Sequence, residues 1–88
     1  MNETALVIRN KVGLHARPAT LFVQAALRFQ SDIRLIKDGH EGNAKSFRAV
    51  LALGVNQNDR VLVRAEGLDA AEAVQALTDL VEANFGEA

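Results

Sequence analysis

One stretch of this 88-residue chain combines residue types that can move a charged group: Asn10-Lys11-Val12-Gly13-Leu14-His15-Ala16-Arg17-Pro18-Ala19. Gly13 permits a tight or left-handed turn, and Pro18 suits the first turn of a helix, where its missing N–H is not needed. His15 therefore falls at a helix start, beside amide N–H groups that have no partner within the helix. Those groups and the helix dipole favour an anion there. An imidazole at that spot can attack a phosphoryl group while the Ala16 and Arg17 amides hold its oxygens. Arg17 adds a fixed charge and a planar fork of donors suited to phosphate. A His at a helix start is otherwise an ordinary solvated residue, and spacing alone does not choose between the two.

The elements that must position this stretch follow from the hydropathy pattern. Thr4 to Arg9 reads as a short strand with Leu6 and Ile8 inward. From Pro18 to about Phe29 the spacing is helical, with Phe22, Ala25, Ala26 and Phe29 on one stripe and Leu21 flanking it. Ile33 to Lys37 alternates as a strand, and Asp38-Gly39 is a two-residue hairpin signal leading into a weak edge strand, His40 to Ala44. Ser46 reads as the N-cap of a helix from Phe47 to Leu53 that Gly54 closes. The polar turn Asn56-Gln57-Asn58-Asp59 precedes a strand from Arg60 to Glu66, with Val61, Val63 and Ala65 on one face. Asp69-Ala70-Ala71-Glu72 has the form of a capping box. It opens a last helix whose stripe is Ala73, Val74, Leu77, Leu80 and Val81, with Phe85 one step further and a stop at Asn84-Phe85-Gly86.

The order β-α-β-β-α-β-α predicts an α+β fold, an open-faced sandwich whose antiparallel four-stranded sheet carries three helices on one face. Arg34, Arg60, Arg64 and Glu66 then face solvent, and Ile36 and Leu62 are expected there too, as an exposed contact patch.

Composition narrows the function classes. The length suits a single domain spanning 1–88, and an apolar fraction of 49% suffices for a core. Without cysteine, disulfides, thiol catalysis and thiolate metal sites are excluded, and a cytoplasmic location is expected. The acidic start Met1-Asn2-Glu3-Thr4 does not read as a signal peptide, and no apolar run nears the ~20 residues of a membrane span. A net charge of −1, with no Tyr or Trp, argues against nucleic-acid binding. The charges are unevenly spread, however: eight Lys/Arg against four Asp/Glu up to Arg48, and two against seven beyond it. A basic half around His15 suits an acidic partner surface, although solvated acidic helix faces would give the same imbalance. His15 and His40 lie far apart in sequence, so no metal site is expected, and the chemistry needs no cofactor.

The order Gly13-Leu14-His15-Ala16-Arg17-Pro18-Ala19 resembles the active-site signature of the HPr family, the small phosphocarriers of the bacterial phosphotransferase sugar-uptake system. The likeness extends through Asp38-Gly39, Asn43-Ala44-Lys45-Ser46, Leu53-Gly54 and Ala65-Glu66-Gly67. It implies the same four-stranded sheet under three helices. It also implies that His15 accepts a phosphoryl group on Nδ1 from phospho-enzyme I and passes it to sugar-specific A domains, making the protein a covalent carrier and not an enzyme with turnover. Ser46 corresponds to the family's regulatory serine, the target of an ATP-dependent kinase in some bacteria. Phe47, Arg48 and Leu51 fall on the implied partner-contact helix. Arg48 departs from the pattern, since the family usually has an apolar residue there, and this bears on partner choice, above all on a transcriptional regulator that binds the Ser46-phosphorylated form. A carrier working as a monomer is the first expectation. The alternative is a regulatory relative that binds proteins through the Ser46 helix, which would not need a nucleophile at His15.

Overall fold

The computed structural model describes residues 2–87. Four strands form one antiparallel sheet: β1 (Asn2–Val7), β2 (Asp32–Lys37), β3 (His40–Asn43) and β4 (Arg60–Glu66), in the order β1-β4-β2-β3. Helices α1 (Ala16–Leu27), α2 (Phe47–Ala52) and α3 (Ala70–Glu82) cover one face, and a 3-10 turn follows at Asn84–Gly86. The expected α+β architecture is thus the observed one.

The alternation in β4 decides the two faces of the sheet. Val61, Val63 and Ala65 enter the core, where they meet Ile33 and Leu35 of β2, Phe22 and Ala26 of α1, and Ala73 and Leu77 of α3. Fully burying a side chain such as Phe22 or Leu77 contributes about 2 kcal/mol. The other face carries the charges. Arg64 and Arg34 are directly opposed in register, a repulsive pair that neighbours offset. Arg64 Nε lies 3.0 Å from Glu3 and its Nη1 3.7 Å from Glu41, while Arg34 Nε lies 3.2 Å from Asp32.

Ile36 departs from expectation. It lies on this open face, in register with Glu41 on one side and Leu62 on the other, yet it is 7% exposed and Leu62 is half-buried. Long cross-strand neighbours lay their aliphatic stems over such a residue, so the expected apolar patch is largely closed.

The hairpin follows its sequence signal. Asp38 and Gly39 both have positive φ, 52° and 81°, the mirror-image turn that joins twisted strands. In α1 the buried residues are Pro18, Ala19, Phe22, Val23 and Ala26, so Val23 joins the stripe while Leu21, Ala25 and Phe29 only flank the core. The last helix ends at Glu82, and Phe85 reaches the core from the left-handed turn beyond it, not from a further helical turn.

Asp69 corrects a second expectation. It is the N-cap residue of α3, but its carboxylate makes no cap bond. It accepts instead from the Gln30 amide at 2.9 Å, the Ser31 amide at 3.0 Å and the Ser31 hydroxyl. These bonds hold its pKa below the ordinary value of 3.8, the Ser31 hydroxyl contributing most. A carboxylate with two free amides in reach across the chain makes better use of them than of its own helix.

Candidate functional site

His15 is the N-cap residue of α1, held in extended backbone (φ −128°, ψ 160°) between two buried anchors, Leu14 and Pro18. With both neighbours drawn into the core, the His15-Ala16-Arg17 segment is pushed outward. His15 is half-exposed, and Ala16 and Arg17 are exposed. The helix begins at Ala16, two residues before the start that Pro18 signals. Ala16 itself has φ +52°, left-handed backbone that costs a residue with a Cβ about 1 kcal/mol, and nothing in the sequence marks it.

The His15 side chain makes no cap bond, so the first-turn N–H groups of α1 receive nothing from it. Arg17 makes no ion pair among the described residues. Ala16 and Arg17, whose amides and guanidinium are the expected anion cradle, are both exposed on this turn.

Behind His15 stands a second segment that sequence reasoning treated only as a polar turn. Asn56 Oδ1 lies 3.1 Å from His15 Nε2. The Val55 carbonyl accepts from the Leu14 amide at 3.0 Å. A Cβ on Gly13, at φ +66°, would press on the Val55 carbonyl and come 2.7 Å from Asn56 Cα. Glycine is therefore required at this position as much for the close approach of two backbones as for its torsion. Asn10 fastens the same turn, its carbonyl accepting from the Gly13 amide at 3.2 Å and its Nδ2 donating to the Gly13 carbonyl at 2.9 Å.

The Asn56 segment is itself braced from below. Asp59 accepts from the Asn56 amide at 2.7 Å and pairs with Lys37 Nζ at 3.0 Å, and Lys37 also donates to the Gly54 carbonyl at 2.7 Å. The Asn56 amide and then Lys37 hold the Asp59 carboxyl below its ordinary value of 3.8. An Asx-rich turn before a strand signals the local bond from Asn56 to Asp59, but not the His15 side chain 41 positions away that it meets.

The other expected residues occupy a different helix start. Ser46 is the N-cap residue of α2, and its hydroxyl accepts from the Ala49 amide at 3.2 Å. Phe47 and Arg48 are exposed, whereas Leu51 is half-buried against the core. Ser46 stands at the opposite end of α2 from the segment that holds Asn56, the residue bonded to His15. No group of three or more potential metal ligands occurs among the described residues, and none of their helices is long and apolar enough to cross a membrane.

An open-faced sheet with a His and an Arg bracketing an uncapped helix start defines a class, the phosphocarriers of the phosphotransferase system. The chain belongs to the HPr family: the family model described as "PTS HPr component phosphorylation site" matches residues 2–83. The chain is 39% identical over 83 residues to phosphocarrier protein HPr of Mycoplasma pneumoniae, covering 93% of this chain and 94% of that one. Its fold superposes on HPr of Thermoanaerobacter tengcongensis with a TM-score of 0.99 at 51% identity, covering 100% and 99% of the two chains. A further solved relative is the catabolite repression protein Crh of Bacillus subtilis, at 43% identity and a TM-score of 0.75, covering 96% and 97%. That protein is described as a dimer with a swapped domain, so family membership does not carry the expected monomer with it.

Proposed function

We propose that the protein is a single-domain carrier, spanning 1–88, that takes a phosphoryl group onto His15 from phospho-enzyme I and hands it to the sugar-specific A domains in the cytoplasm. The observation that carries this reading is the start of α1. There a half-exposed imidazole does not cap the first-turn amides, and the exposed Arg17 beside it makes no ion pair among the described residues. A neutral imidazole is nucleophilic near neutral pH. Phosphoryl transfer through a loose transition state asks mainly for positioning and charge stabilisation. The Ala16 and Arg17 amides and the Arg17 guanidinium supply the charge stabilisation, and the exposure of the turn lets two large partners reach it in succession. A carrier must also release its cargo, and a shallow site holds a phosphoryl group without trapping it.

Intact-mass spectrometry after incubation with phosphoenolpyruvate, magnesium and enzyme I tests the reading. One acid-labile phosphoryl group on the native chain, absent from His15→Ala, is the expected result. A folded native chain that takes none with an active, cognate enzyme I overturns it. Size-exclusion chromatography on the same sample tests the monomer.

A second reading has its own support. Ser46 caps α2 with its hydroxyl, and Phe47 and Arg48 are exposed beside it. A kinase that phosphorylates Ser46 would put about two negative charges at that helix start and change how an acidic or basic partner docks. Arg48 would pair with such a phosphate or with an acidic partner, among them a transcriptional regulator. Incubation with ATP and such a kinase, read as acid-stable phosphate lost in Ser46→Ala, tests this regulatory role.

A further inference from the structure

The contact between His15 and Asn56 bears on which ring nitrogen is free to react. A carbonyl oxygen only accepts hydrogen bonds, so Asn56 Oδ1 at 3.1 Å calls for a proton on His15 Nε2. A neutral imidazole has one N–H, and with that proton on Nε2 the lone pair available for attack is on Nδ1. We propose that Asn56 is a positioning residue that fixes the Nε2–H tautomer of His15 and leaves Nδ1 as the attacking nitrogen. The inference rests on the phosphocarrier reading above and names the residue that orients its nucleophile.

The backbones that carry the two side chains are held close to each other from both sides. On the Asn56 side, its amide is clamped by Asp59, and Lys37 holds both Asp59 and the Gly54 carbonyl. On the His15 side, Leu14 is buried, and its amide is bonded to the Val55 carbonyl, one residue before Asn56. Gly13 lets these two backbones come together at all.

The proton inventory of the transfer gives the bond its use. As Nδ1 forms its bond to phosphorus, the donor's bond to phosphorus breaks and the donor keeps that electron pair. The Nε2 proton stays where it is, so the ring gains positive charge at the moment of transfer. The Asn56 carbonyl dipole faces that charge, and the hydrogen bond strengthens from ground state to transition state. An interaction of that kind raises rate instead of merely adding affinity. An amide turned the other way would donate to Nε2, move the proton to Nδ1 and block the attack.

The test reads the tautomer directly. Ring nitrogens of the full chain, labelled at histidine, are followed by 15N–1H correlation NMR near pH 8.5, where an ordinary imidazole is neutral. The native chain is expected to show the Nε2–H form at His15. Asn56→Leu is expected to mix the tautomers and slow phosphoryl uptake from enzyme I about tenfold, the equivalent of one good hydrogen bond. Asn56→Ala repeats that loss without added bulk, and Asn56→Asp, which keeps an acceptor and has no donor, restores the Nε2–H form. A native ring protonated on Nδ1, or Leu and Ala variants with native tautomer and native rate, overturns the proposal. The NMR arm needs no transfer, so a native chain with the expected tautomer but no phosphate uptake tells against the carrier reading and leaves the tautomer assignment standing.

Discussion

The starts of α1 and α2 solve the same problem in opposite ways. Each helix opens with an extended N-cap residue and an exposed first turn. Ser46 turns its hydroxyl inward and satisfies the Ala49 amide, so α2 closes on itself. His15 turns its ring away to Asn56 and gives α1 no cap. The first arrangement stabilises a short helix, and the second keeps donors available for something that arrives from outside. One fold thus contains a helix start built for stability and another that forgoes it for reactivity.

Substitutions can break or sharpen that contrast. The largest effect is expected from the glycines that flank the two helices. Gly13→Ala puts a Cβ against the Val55 carbonyl and Asn56 Cα at φ +66°, and a loss of about 3 kcal/mol in urea unfolding is expected, with phosphoryl uptake lost as the turn moves. Gly54→Ala has nearly the same torsion, φ +62°, but open space around it, so only about 1 kcal/mol should be lost. Equal losses at the two sites would show that torsion, and not the close approach, is what Gly13 serves.

The caps come next. Ser46→Ala should lower stability by about 1 kcal/mol, the usual worth of a serine cap. His15→Ala should leave the urea midpoint within the scatter of the measurement while abolishing acid-labile phosphate, because its side chain caps nothing. A clear drop in the His15→Ala midpoint would mean that its bond to Asn56 carries the fold as well as the chemistry.

The smallest effect is one of pH. Asp59 and Asp69 both have pKa values lowered in the folded chain, by the Asn56 amide and Lys37 in one case and by Ser31 and the Gln30 amide in the other. The unfolded chain takes up protons first as pH falls, so the stability these groups add is complete above their ordinary value of 3.8 and is lost below it, through the depressed values. Unfolding followed from pH 6 down to pH 2 should show a decline that begins near pH 4 and is shallower in Asp59→Asn and in Asp69→Asn.

Much of this was legible in the sequence, and the reason differs by region. Periodicity located β2, β4, α1 and α3, and β1 to within two residues, because each buries one face and the pattern repeats over several residues, whereas β3 and α2 were marked only by the turn and cap beside them. Special backbone was found where chemistry marks it: Asp38-Gly39 at the hairpin and Gly54 after α2. Ala16 carries no such mark: it is an alanine with φ +52° between the buried Leu14 and Pro18. The capping box at Asp69 failed for a tertiary reason, two amides at the end of another helix having won its carboxylate. Of the candidate site, His15, Ala16 and Arg17 were readable because they are contiguous. The place of Asn56, Asp59 and Lys37 was not, because only the fold brings the Asn56–Asp59 turn and Lys37, two distant segments, behind one ring.

The sheet order has a consequence for how the molecule comes into being. Among the described residues the first strand pairs with β4 alone, with Asn2 opposite Ala65 and Val7 opposite Arg60. On the ribosome, β2 and β3 can zip locally through their tight turn, while β1 must wait until most of the chain has been synthesised. Because β4 also follows directly from the Asn56–Asp59 turn, the same late pairing that closes the sheet delivers the brace behind His15. A nascent chain that has exposed its histidine but not yet its fourth strand therefore lacks both the partner of β1 and the contact from Asn56 to His15.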